Sequence, residues 1–297
     1  MEALDYKVLV PTDFSDQSDY ALHQAIHLAQ IVNGKVVLLY VLQEKKGILG
    51  KLFNSEQEKT FNSLVHEKLI EKAKMFTDRH QIVIETELIY STSIHNAIID
   101  YAEEIKASII VMGKGADFKD GIEIPSIGSN ASKILRHSKI PVVTISNSNH
   151  CLGCNSILLP LDLSKETRQK VSWAIQFAKL FNSKINVVSG LWDTDKEFVI
   201  NQLNAQMTQV VKFIKQQGIE ASGEIIKPTD GLKGLIPILM NYIQEHPELD
   251  MAIIMTQQED EFTEFFLGSS AAAFIRQTQI PVMSIIPRQL DQVIFGM

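Results

Sequence analysis

Apolar positions along the chain follow two alternating rhythms. Val8–Pro11 is a short apolar run closed by a proline, and from Asp16 to Val32 the residues Ala21, Leu22, Ala25, Ile26 and Ala29 recur at helical spacing. Lys35–Val41 is a β-branched run, and Glu56–Arg79 sets Phe61, Leu64, Val65, Leu69, Ala73 and Phe76 on one helical face. Ile82–Tyr90, Ser93–Ile105, Ala107–Gly113, Gly128–His137 and Ile140–Ser146 extend the series as strand, helix, strand, helix, strand. Near-continuous apolar strands such as "ASIIVMG" at Ala107–Gly113 are buried on both faces, as in a parallel sheet between helix layers. Ligand crevices of such sheets lie outside the carboxyl ends of the strands. Pro11, Thr12 and Asp13, then Val41 and Leu42, then Met112–Gly115 all fall there.

The whole series occurs twice. "KVLVPTDFS" at Lys7–Ser15 returns as "SILLPLDLS" at Ser156–Ser164, and Ala25–Val41 returns as Ala174–Gly190, both at a lag of 149. "IGSNASKILRHSKIPVVTIS" at Ile127–Ser146 returns as Leu267–Ile286 at a lag of 140, so the second copy has shorter connections. Asp13 is matched by Asp162. Two long copies in unbroken order are a tandem duplication, not a solenoid. The expected fold is α/β: two tandem doubly wound domains, residues 1–149 and 150–297, each a mainly parallel five-stranded sheet between helix layers.

Composition narrows the partners. Hydrophobic residues make up 45% and charged residues 21%, the balance of a globular protein with a substantial core. The formal net charge of −7, with no Lys/Arg stripe, excludes a nucleic-acid partner. No apolar run approaches the roughly 20 residues needed to cross a bilayer, and the acidic start "MEALDYKVLV" is not a signal peptide. Two cysteines give no disulfide framework, which points to a cytoplasmic location.

The stretch "MGKGADFKDGIEIPSIGSN", Met112–Asn130, carries the chemistry of interest. Gly115 can take positive φ and let backbone approach an anion. Gly128–Ser129–Asn130 opens a helix, whose free N–H groups and dipole favour negative charge, and the Ser129 and Asn130 side chains add donors. Asp117, Asp120 and Glu123 in the same stretch oppose it, each by about 1 kcal/mol at ~8 Å and an effective dielectric of ~40, with Lys114 and Lys119 offsetting part. In the second copy, "MTQQEDEFTEFFLGSS" at Met255–Ser270, Thr256 is expected where the first glycine should be, and Glu259, Asp260, Glu261 and Glu264 crowd the loop. Gly268 and Ser269 remain there, but a helix start favours both residues anyway.

"VPTDFSD", "MGKGA…IGSN" and "ILRHSKIPVV", in this order and twice over, resemble the universal stress protein family across nearly the whole chain. The resemblance implies ATP, with or without Mg2+, held by the loop after the fourth strand. Adenine would then lie near Asp13 and Val41, and phosphates at Gly113, Gly115, Gly128, Ser129 and Asn130, with Pro11, Thr12 and Met112 flanking them. The family's loop has two residues between its first glycines and nine before the last. Here the first gap is Lys114 alone, and twelve residues separate Gly115 from Gly128. A longer loop can still carry the same ends, since closure entropy grows slowly with length. The resemblance also implies dimerisation through terminal strands, which here would pair the two domains within one chain, with a homodimer as a further step. The function expected is a stress-response protein that binds ATP in its first domain and changes conformation or affinity for protein partners. The alternative is an interaction module that binds no nucleotide. No positioned base or Lys-bearing phosphate loop supports an ATP-hydrolysing enzyme.

Other features carry open alternatives. "HCLGC" places His150, Cys151 and Cys154 in the connection, where the cysteines are a redox pair, part of a zinc site, or two chance thiols. His23 and His27 share a helix face, read as solvated with metal binding as the lesser option. Asp13 either meets a ligand or helps cap the following helix, where Ser15 or Asp16 is the N-cap. Lys45–Phe53 sets Ile48, Leu49, Leu52 and Phe53 in a connection, as a lid, a contact surface, or packing on the next helix.

Overall fold

The alternation read from the sequence is present in a computed structural model that describes residues 6–44, 55–119, 122–146, 153–161, 167–190, 197–227, 234–256 and 269–286. Strand β1 (Lys7–Pro11) leads into helix α1 (Asp16–Val32), whose two ends are set by side chains. Ser15 is the N-cap, its Oγ accepting from the Ser18 N–H at 3.3 Å, and Asp16 and Asp19 complement the helix dipole in the first turn. Asn33 ends the helix at φ +54°. A Cβ on Gly34 would lie 2.5 Å from the Tyr6 carbonyl oxygen, so glycine alone permits this tight entry into β2 (Lys35–Gln43).

Helix α2 (Ser55–His80), β3 (Ile84–Ser91), α3 (Ile94–Glu104) and β4 (Ile109–Gly113) follow. Then come a short pair, β5 (Ala116–Lys119) and β6 (Ile122–Pro125), and finally α4 (Ser129–His137) and β7 (Val142–Ile145). Parallel pairing of β1 with β2 and β4, of β2 with β3, and of β4 with β7 gives the order β7-β4-β1-β2-β3. Leu9, Leu22, Ile26, Leu28, Ile109 and Ile110 form the centre of the core, and each buried side chain of this size contributes about 1.5–3 kcal/mol. On α2 the buried stripe is Val65, Leu69, Ala73 and Phe76, whereas Phe61 and Leu64, expected on the same face, are more than half exposed.

The second copy repeats the pattern with β8 (Ser156–Pro160), α5 (Thr167–Phe181), β9 (Lys184–Gly190), α6 (Glu197–Gln216) and β10 (Ala221–Ile226), then α7 (Leu235–Glu245), β11 (Met251–Met255), α8 (Ser269–Gln277) and β12 (Val282–Ile285). Its parallel strands run in the corresponding order, β10-β9-β8-β11-β12. Each copy is thus a doubly wound α/β domain, as expected. Contacts divide the chain into two compact units, residues 1–115 with 128–151, and residues 116–127 with 152–297. The stretch read as one open loop before α4 instead contains the antiparallel β5–β6 pair, with Ala116 opposite Pro125 and Lys119 opposite Ile122. Asp120–Gly121 between them is a dipeptide that favours two-residue hairpin connections.

Candidate functional site

Because β1 lies between β2 and β4, the ends of β1 at Pro11 and of β4 at Met112–Gly113 emerge at the carboxyl edge of the first sheet beside β2, where Val41 lies two residues beyond Leu39, the partner of Pro11, and β2 continues to Gln43. The first strand end is tied down by its own chain. The Thr12 N–H donates to the Leu39 carbonyl at 2.8 Å, and the buried Thr12 Oγ1 lies 3.0 Å from Ser18 Oγ while accepting the Phe14 N–H at 3.0 Å. Phe14 takes φ +64°, unusual for a bulky residue, and stacks on Tyr40 at 4.9 Å with the Lys68 ammonium 4.4 Å from its ring centre. Between these anchored residues Asp13 is exposed. Its Oδ1 accepts the Ser15 N–H at 3.0 Å and the Ser15 hydroxyl at 2.5 Å, so the carboxylate does brace the start of α1. Val41 is half-buried beside Ile89 of β3.

The loop after β4 closes on itself. The Gly128 N–H donates to the Lys114 carbonyl at 2.8 Å, which brings Gly128 against Gly115 although twelve residues separate them in the chain. A Cβ on Gly128 would lie 3.7 Å from Gly115 Cα, an ordinary contact. Gly128 is the N-cap of α4 and, as glycine, brings no capping side chain of its own; the N–H groups of the first turn have no acceptor within the helix, the arrangement that receives an anion. Ser129 is exposed and Asn130 half-buried at this helix start. The glycines have reasons of their own. Gly115 sits at φ +87° and gives its N–H to Gln17 Oε1 at 2.8 Å, whereas a Cβ on Gly113 would press to 2.9 Å from Gln17 Cβ. Gly113 is therefore required by the close approach of α1, a packing constraint that spacing alone does not reveal. Lys114, expected to offset the loop carboxylates, is buried with its backbone N–H on Ile145.

Three further residues at this edge escaped the motif reading. Gln17 is one; Ser93 and His95, where β3 passes into α3, are the others, with Ser93 Oγ 3.2 Å from His95 Nδ1. Burial, together with Lys133 and His137 of α4, holds the His95 imidazole below its usual value. Periodicity could not have found them, because their roles depend on which elements the topology brings together.

Elsewhere the structure revises several expectations. His23 is not on a solvated face: its ring contacts Phe76 at 4.8 Å and His80 at 5.3 Å. Burial lowers both imidazoles, which also repel one another and Arg79 when charged. Cys154 is buried, with Sγ 3.6 Å from Ser183 Oγ and 3.9 Å from Met251 Sδ, and burial pushes its thiol far up. A thiol so placed is neither a ready redox nucleophile nor an open zinc ligand. Among the described residues no three His, Cys, Asp or Glu side chains group as metal ligands, and no helix is long and apolar enough to cross a membrane. His150, Cys151, Asp162, the Lys45–Phe53 segment, residues 257–268 and the side chains of Asp117, Asp120 and Glu123 lie outside the described residues.

The second domain keeps the same backbone frame. The Leu161 N–H donates to Val188 as that of Thr12 does to Leu39, and the Thr256 N–H donates to Ile285 as that of Lys114 does to Ile145. Register therefore pairs Gly113 with Met255, and Thr256 with Lys114, which corrects the expectation that Thr256 replaces the first glycine.

Fold and site together define a duplicated, doubly wound α/β protein whose first half presents a glycine-capped helix start at the carboxyl edge of its sheet. The model of the universal stress protein family matches residues 6–146 and again 154–285, and the chain belongs to this family as two tandem domains. A universal stress protein of Methanocaldococcus jannaschii is 30% identical over 146 residues, covering 48% of this chain and 84% of its own length. The crystal structure of a universal stress protein from Archaeoglobus fulgidus DSM 4304 superposes with a TM-score of 0.71 at 17% identity, over 95% of this chain and 99% of the other. A universal stress protein solved in complex with cAMP aligns with 44% of this chain and 96% of its own at 15% identity and a TM-score of 0.36.

Proposed function

We propose that this is a cytoplasmic stress-response protein whose first domain, residues 1–149, binds ATP and acts through nucleotide-dependent conformation or partner binding. The adenine side of the site is Asp13 and Val41, flanked by Pro11 and Thr12; the phosphate side is Gly113, Gly115, Gly128, Ser129 and Asn130, flanked by Met112. One observation carries the reading: the Gly128–Lys114 hydrogen bond holds the glycine-capped start of α4 against Gly115, beside the end of β1. Free N–H groups, a helix dipole and two polar side chains there suit a polyphosphate. Mg2+ would arrive on the phosphates. The second domain, with Met255 in place of Gly113, is assigned a structural or partner-facing role.

Native mass spectrometry of the purified protein and calorimetric titration with Mg-ATP test this. One nucleotide per chain is expected. Ser129→Glu sets a carboxylate about 5 Å from the phosphates, which at an effective dielectric of about 40 costs about 1.7 kcal/mol per phosphate charge, more than tenfold in affinity. No retained nucleotide and no heat at millimolar ATP, or a Ser129→Glu variant that binds like the parent, would refute the reading.

A further inference from the structure

We propose that Gln17 is an internal competitor for the phosphate subsite, a side chain that occupies the Gly115 N–H until a nucleotide phosphate displaces it. The inference rests on the nucleotide reading of the same site. Two amides of the candidate cradle are committed in the structure, and they are committed differently. The Gly128 N–H is held by the backbone carbonyl of Lys114, a bond that closes the loop and sets its shape. The Gly115 N–H is held by a side-chain carbonyl, Gln17 Oε1 at 2.8 Å, which can rotate aside without moving the backbone. Gln17 belongs to the first turn of α1, and its Cβ lies so near Gly113 that the side chain starts directly beneath the loop. At φ +87°, Gly115 holds its amide in a conformation that other residues seldom adopt.

Exchange of acceptors is favourable for a polyphosphate. An N–H bound to an anionic oxygen is roughly twice as strong as one bound to a neutral amide, so phosphate wins, but with reduced affinity. The neutral bond that must be broken corresponds to about 2- to 12-fold in an equilibrium constant. Gln17→Ala keeps Cβ and a good helix former while removing the competitor, so ATP should bind about 2- to 12-fold tighter. Gln17→Glu supplies an anionic competitor in the same place, and ATP should bind more than tenfold weaker. Adenosine, which has no phosphate, should bind all three proteins alike. A residue that merely supports the loop would give the opposite sign for Gln17→Ala.

The experiment is calorimetric titration of the full chain, its Gln17→Ala and its Gln17→Glu variants with Mg-ATP and with adenosine, circular dichroism confirming the fold of each. Tighter ATP binding by Gln17→Ala with unchanged adenosine affinity establishes the competition. Equal or weaker ATP binding by Gln17→Ala overturns it and leaves the nucleotide site standing. A parent protein that binds no ATP overturns both.

Discussion

Gly113 offers the sharpest test of how the first domain is built. Its nearest neighbours belong to α1, where an added Cβ would lie 2.9 Å from Gln17 Cβ, 3.2 Å from its carbonyl carbon and 3.3 Å from its carbonyl oxygen. Two of those three atoms are backbone, so a rotamer change cannot relieve the contact; helix and strand must separate. Overpacking of this kind costs about 1–3 kcal/mol. Gly128→Ala is the matched control. Its Cβ would meet nothing closer than 3.7 Å, and the weaker N-cap preference of alanine limits the loss to about 1 kcal/mol. Both tryptophans, Trp173 and Trp192, fall in the second family match, so their fluorescence follows that domain. Amide hydrogen exchange in β1 and β4 follows the first. Gly113→Ala should accelerate that exchange about 5-fold to more than 100-fold, and Gly128→Ala by about 5-fold at most. A Gly113→Ala protein no less protected than Gly128→Ala would refute the packing account and return Gly113 to a role in ligand binding alone.

The paired imidazoles of His23 and His80 predict a pH dependence. Their folded pKa values lie below the ordinary 6.5, so protonation favours the unfolded chain. This contribution is absent above pH 6.5 and destabilises as pH falls from 6.5 through the folded values. Arg79 reinforces the loss and Asp19 opposes it at His23. The urea midpoint should fall less between pH 7.5 and 5.5 in a His23→Gln, His80→Gln variant than in the parent; equal falls would count against the pair. In a Cys151→Ser background, Cys154 should resist a thiol reagent in native buffer and react fully in denaturant. Stoichiometric labelling of the native protein within minutes would be inconsistent with its buried placement.

The doubly wound order was legible because apolar runs such as Ile109–Met112 are long, flanked by helical periodicity and repeated at a nearly constant lag. Ser15 as N-cap was one of two options visible in "TDFSD", and side-chain geometry chose between them. Less was legible where a residue's reason lies in a distant element. Gly113 reads as a phosphate glycine until Gln17, far away in the chain, is seen against it. His23 reads as solvated until the end of α2 covers it. The β5–β6 pair hid for another reason: its strands are only four residues each, and charges at Asp117, Lys119 and Glu123 made the stretch look like an open loop.

The duplication separates what the two crevices share from what distinguishes them. Both domains turn out of their first strand through the same hydrogen bond, Thr12 to Leu39 and Leu161 to Val188, and out of the fourth through Lys114 to Ile145 and Thr256 to Ile285. The frame that places strand ends side by side is thus common to both halves. What the first half adds is a fourth strand that ends in a residue without a side chain. Gly113 admits the first turn of α1 to the loop, and only because that turn is so close can Gln17 reach the Gly115 N–H. Met255 stands at the corresponding position of the second half. The two crevices thus differ at the end of a buried strand, Gly113 against Met255, before any charge in the loops is considered.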